Sequence, residues 1–83
     1  MNWQDINAPR RYEDVDLTVN DTTFSEISGV EFQDIIANIS GDGSLSYTIW
    51  HQDEDTDYEL KTLEVMIDYK NGDITNYETN LMD

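Results

Sequence analysis

The chain has 83 residues, nineteen acids against four bases, and a formal net charge of −15. That length bounds it to a single domain, 1–83, with one small core. The charge excludes nucleic acid and membrane as direct partners, since both would repel it, and the lack of cysteine excludes disulfides and thiolate metal sites.

Apolar residues make up 37% of the chain and recur with clean periodicity, which argues against disorder over the whole length. The opening Met-Asn-Trp-Gln-Asp-Ile has no basic region and no apolar run, so no signal peptide is expected. No stretch approaches the roughly 18 apolar residues of a membrane span. With no cysteine, a reducing, cytoplasmic setting is the expectation.

Residues 1–13 read as an irregular lead-in, because Pro9 interrupts regular hydrogen bonding. Trp3 and Ile6 can fold back onto the core edge, and Arg10 and Arg11 can offset Glu13 and Asp14. Residues 14–20 alternate strictly, with Val15, Leu17 and Val19 against Asp14, Asp16, Thr18 and Asn20; this is the pattern of a half-buried strand. Asp21-Thr22-Thr23 should end it. Ser28 and Glu31 form a capping box, and Ile27 can staple onto Phe32, so a helix is expected from Ser28. Thr23 and Glu26 make a second such box, which allows an earlier helical turn from Phe24. Phe32, Ile35, Ile36 and Ile39 form one buried stripe, and Gly41 suits a left-handed stop.

Residues 44–52 read as a second strand, with Leu45, Tyr47 and Ile49 on one face and Trp50 on the other. Residues 63–69 read as a third, with Leu63, Val65, Ile67 and Tyr69 facing the core. Tyr58 and Leu60 have the opposite parity, so a bulge near Lys61-Thr62 is expected. Asn71-Gly72 marks a hairpin. A three-residue loop, Lys70-Asn71-Gly72, would oppose Val65 to Tyr77 and Ile67 to Thr75 and keep one face apolar, so this register is preferred to that of a two-residue turn. The last strand is then 73–80. The expected fold is α+β: a two-layer domain of order β-α-β-β-β, with one helix packed on an antiparallel sheet.

The sheet face away from the helix should keep Asp14, Asp16, Trp50, Glu64, Asp68 and Glu78. Beside it, residues 53–59 carry five acids, Asp53, Glu54, Asp55, Asp57 and Glu59, with Tyr58 among them and no base. Little here points to catalysis. His51 is the sole histidine and no nucleophile elbow occurs, so no enzyme, catalytic residue or cofactor is expected. Asp53, Asp55, Asp57 and Glu64 stand at positions 1, 3, 5 and 12 of a calcium loop, a spacing that resembles the EF-hand over twelve residues. Position 6, however, is Tyr58 where that loop needs glycine, and both flanks read as strands. No metal ligand is assigned, and a calcium-binding module is the lesser alternative.

The acids make better sense as a set. Alternate residues of a strand are about 6.6 Å apart, and a DNA strand advances about 3.4 Å per phosphate. A rigid carboxylate array can therefore occupy the basic surface with which a nucleic-acid-binding protein finds phosphates. In charge, size and lack of a catalytic motif, the whole chain resembles the acidic DNA-mimic inhibitors encoded by phages. That resemblance implies host takeover or counter-defence inside an infected bacterium, through contact with a basic nucleic-acid-binding protein. The alternative is an immunity-type antitoxin that plugs a basic nuclease toxin, leaning on apolar anchors such as Trp50 and Tyr58. A free edge strand, with Trp50 and Met66 on one face, makes a homodimer a further expectation.

Overall fold

The computed structural model describes residues 2–52 and 60–82. Among them, five strands form one antiparallel sheet: β1 (Asp14–Val19), β2 (Thr22–Ser28), β3 (Gly43–Gln52), β4 (Leu60–Lys70) and β5 (Asp73–Met82). A single helix, α1 (Gly29–Ala37), lies between β2 and β3. The sheet order is β2-β1-β3-β4-β5, and its last three strands form the expected meander.

The expected order β-α-β-β-β is corrected to β-β-α-β-β-β, because residues 22–28 are a strand and not a turn or a first turn of helix. Its apolar residues, Phe24 and Ile27, are three apart, the spacing of a helix. The register explains how a strand carries them. Val15 pairs with Ile27 and Leu17 with Phe24, so two residues of β2, Ser25 and Glu26, stand against Asp16 alone. This β-bulge brings Phe24 and Ile27 to the same face. Glu26 sits at φ 52°, in the left-handed region that ordinary residues avoid. Its N–H is held by the Asp16 carboxylate at 2.9 Å.

One sheet face holds the core. Val15, Leu17, Ile27, Leu45, Tyr47, Ile49, Leu63, Val65, Ile67, Tyr69 and Ile74 are all buried there, together with Phe32 and Ile36 of α1. The helix begins as its sequence requires: Ser28 Oγ accepts the N–H of Glu31 at 3.3 Å. It is shorter than its apolar stripe, ending at Ala37 with Asn38 as its cap, so Ile39 lies beyond it. Gly41, at φ 73°, belongs to the turn that follows. That turn docks on the β4–β5 hairpin, where Gly41 accepts from the Gly72 N–H and the Asp42 carboxylate from the Asn71 N–H, both at 2.9 Å.

Two register expectations also change. β3 and β4 pair without a shift from Gly43↔Tyr69 to Gln52↔Leu60, so no bulge occurs at Lys61-Thr62. At the hairpin, Lys70 pairs with Asp73 across a two-residue turn, Asn71-Gly72, with both φ angles positive. The extra residue falls later, at Thr75, so that Ile67 opposes Tyr77 and Val65 opposes Thr79. A three-residue loop and a two-residue turn with a bulge both realign the apolar faces. The chain adopts the second, and the Thr75 hydroxyl donates to the Asp68 carbonyl at 3.2 Å.

The lead-in packs closely. Residues Trp3–Asp5 form a 3-10 turn, and Trp3, Ile6 and Ala8 cover part of the core that α1 leaves open. The Trp3 indole N–H donates to the Gly72 carbonyl at 2.8 Å. The Arg10 carbonyl crosses so close to Gly29 that a β-carbon there would overlap it, which is why the first helical residue is glycine. Glu13 straps this crossing down. Its two oxygens accept the backbone N–H groups of Arg10, at 3.0 Å, and Trp50, at 2.6 Å.

The buried Tyr47 phenol donates to the Asn7 carbonyl. Burial pushes its pKa far above the ordinary 10, and the nearby Tyr77 phenol adds to the effect. The folded state therefore keeps a proton that the unfolded chain releases near pH 10. This contribution to stability is whole below about pH 10 and declines as pH rises further. The urea midpoint of the wild type is expected to fall between pH 8.5 and about 11, and to fall less for Tyr47→Phe.

Candidate protein-interaction face

Among the described residues, no helix lies on the other face of the sheet, and Asp16, Thr48, Trp50, Met66, Asp68 and Glu78 are exposed there. Strand parity places Asp14, Asp16 and Thr18 of β1 there, then Ser44, Ser46, Thr48 and Trp50 of β3. Thr62, Glu64, Met66 and Asp68 of β4 and Asn76, Glu78 and Asn80 of β5 complete it. An antiparallel sheet tolerates such a face when its side chains are polar. The middle strand supplies a floor of small hydroxyls, and the carboxylates stand around it.

The pairings fix the layout. Glu64 lies across from Thr48, Met66 from Glu78, and Asp68 from Ser44 and Asn76. Continuing the β1–β3 register, in which Thr18 meets Ser46, puts Asp16 beside Thr48. Asp16 and Glu64 are thus two strands apart, about 10 Å, and Glu64 and Asp68 about 13 Å apart along one strand. Asp14 and Asp16 are closer, about 6.6 Å. These are spacings of an array and not of a chelate. Among the described residues, no three acids or histidines are grouped to hold a metal ion, and no buried side-chain nitrogen or oxygen lacks a partner.

At the β1 end, the face deepens into a cleft of about 280 Å³ lined by Asp14, Asp16, Glu26, Thr48, Trp50 and Thr62. Trp50 is 58% exposed, so the lead-in does not cover it, although Glu13 holds its backbone. Met66, 38% exposed, adds a second apolar point further along. The structure thus brings together six residues expected from the sequence: Asp14, Asp16, Trp50, Glu64, Asp68 and Glu78. Asp53, Glu54, Asp55, Asp57, Tyr58 and Glu59 lie outside the described residues. Around them, β3 and β4 are paired as far as Gln52↔Leu60, so strands flank the acidic run where an EF-hand has helices.

Sequence reasoning missed Glu26, which reaches the cleft only because the bulge turns its backbone, and Glu13, whose carboxylate ties the cleft wall to the lead-in. The spacing of Phe24 and Ile27 was the available signal for Glu26, and helical periodicity reproduces it. Asp16 has two roles, as a charge on the face and as the acceptor that holds the bulge. Asp16→Ala should cost about 0.5–1.5 kcal/mol of stability, since water replaces the carboxylate at the exposed Glu26 N–H but does not hold the bulge in place. Asp16→Asn, which keeps an acceptor, should cost less; urea unfolding of the two variants separates them.

No protein-family model matches this chain, nor does any curated protein or solved structure. Among the described residues, no helix is long and apolar enough to cross a membrane.

Proposed function

We propose that this domain is a non-enzymatic inhibitor that offers phosphate-like charge to the basic surface of a nucleic-acid-binding protein. The observation that carries the reading is the uncovered sheet face, on which Asp14, Asp16, Glu64, Asp68 and Glu78 surround a hydroxyl floor. A charge of −15 on a chain of this length opposes compaction, and a fold gains nothing from it. A cationic partner gains a great deal, through fast and salt-sensitive association. The array is rigid because its carboxylates stand on paired strands, so little order is lost on binding. Along β1, the roughly 6.6 Å between Asp14 and Asp16 is comparable with the separation of neighbouring phosphates of a DNA strand once their helical path is followed. Cytoplasmic action in a phage-infected bacterium is part of this reading.

The test is a pull-down from bacterial lysate at low and high salt, followed by competition with duplex DNA. Basic nucleic-acid-binding proteins should elute with salt and be displaced by DNA. Recovery of proteins that are neither basic nor DNA- or RNA-binding would sink the proposal. The exposure of Trp50 favours one second reading, an immunity-type protein that seats an apolar anchor in one nuclease toxin. In that case Trp50→Ala would abolish binding to a single target, and DNA would compete weakly.

A further inference from the structure

Away from the open face, α1 and the outermost strand β2 border a groove of about 480 Å³. Val19, Phe24, Ile35 and Ile39 line it, and each is only half-buried. Asp34, Asn20, Thr22 and Asn38 form its rim, with no lysine or arginine among the lining residues. Beside it runs the backbone edge of β2, which no other described strand pairs, because the sheet order ends there. The bulge at Ser25 and Glu26 interrupts that edge and leaves residues 22–24 as its regular part.

An unpaired strand edge next to an apolar groove is the arrangement that captures extended peptides. The edge supplies main-chain hydrogen bonds, and the groove takes alternate side chains. We propose that this groove docks an extended segment of a partner protein carrying alternating apolar and basic side chains. The apolar side chains would enter between Phe24, Ile35 and Ile39. The basic ones would meet Asp34 and the exposed Asp21 of the β1–β2 turn. Charge decides the occupant: a second copy would bring another −15 to the interface, whereas a basic segment is attracted to it.

The groove shares no residue with the acidic face described above, so the two proposals fail separately. The probe is an end-capped octapeptide of alternating lysine and leucine, titrated into the ¹⁵N-labelled protein. A lysine–serine octapeptide is the control. Saturable amide shifts are expected at residues 19–25 and 34–39, with the lysine–serine control binding at least about tenfold more weakly. Ile35→Ser should weaken the lysine–leucine peptide about tenfold. Should Ile35→Ser fail to fold, the exposed Asp34→Lys decides, with a loss of about three- to tenfold expected at an unchanged melting temperature. The combined change Glu64→Lys and Asp68→Lys should alter this binding by no more than about twofold, being screened from the groove. Equal binding of the two peptides, shifts confined to Thr48, Met66 and Asp68, or no saturation at millimolar peptide would each overturn the proposal. So would a dimer in sedimentation that Ile35→Ser abolishes, since a second copy would then be the occupant.

Discussion

Phe32→Ala is expected to remove about 3–5 kcal/mol of stability, the usual cost of emptying a phenylalanine site in a packed core. Phe32 is fully buried, and its ring meets Tyr47 edge-on, with centroids 4.6 Å apart at 68°. Together with Ile36, it is what anchors α1 to the sheet. A domain of this length has roughly 4–12 kcal/mol in total, so the loss takes between about a quarter and the whole of it. Urea unfolding followed by circular dichroism measures this directly. Val30→Ala is the control on the same helix. Val30 is 45% exposed, and its loss should shift stability by less than about 0.5 kcal/mol. Similar losses for the two variants would show that the helix is not anchored through Phe32.

Reversing Glu64 and Asp68 together to lysine is expected to weaken binding to a basic partner by about 10–100-fold at low salt, and to flatten its salt dependence. Asp68 is exposed and Glu64 half-buried on the open face, so the fold should survive the change; Asp16, in contrast, holds the β2 bulge. Reversing Asp5 and Glu31 alters the net charge by the same amount but lies off the open face. If the array and not the bulk charge recognises the partner, the second pair should weaken binding several-fold less. The measurement is displacement of a labelled DNA duplex from the protein recovered in the pull-down, at two salt concentrations. Equal effects of both pairs would reduce the open face to a general reservoir of charge.

Much of this architecture was legible in the residues. Strict alternation in β1, β3 and β4 reports a sheet with one wet face, because a strand exposes every second side chain. The Ser28 and Glu31 pair marks the helix start, because an orphan N–H needs an acceptor at that distance. Four carboxylates of the open face, Asp14, Asp16, Glu64 and Asp68, and Trp50 follow from the same parity, and Glu78 follows from the requirement that the hairpin keep one face apolar.

Two of the differences, at β2 and at the hairpin, have a common cause. At Ser25 and Glu26, and again at Thr75, one added residue restores the apolar face, and periodicity counted along one strand cannot show it. Whether that residue is placed in the turn or beyond it depends on the partner strand. The Asn71-Gly72 turn accepts positive φ at both positions, so the tight hairpin forms and the correction is deferred to Thr75.

The sequence alone determined a small, acidic, sheet-rich domain with a capped helix and one charged face. Those properties depend on side-chain spacing within single elements and on net charge, both of which are local sums. Only the tertiary structure decided that residues 22–28 are an edge strand, that Asp16 fastens its bulge, and that a groove opens beside it. Each of these depends on which strand lies next to which, and pairing between distant segments is settled by packing.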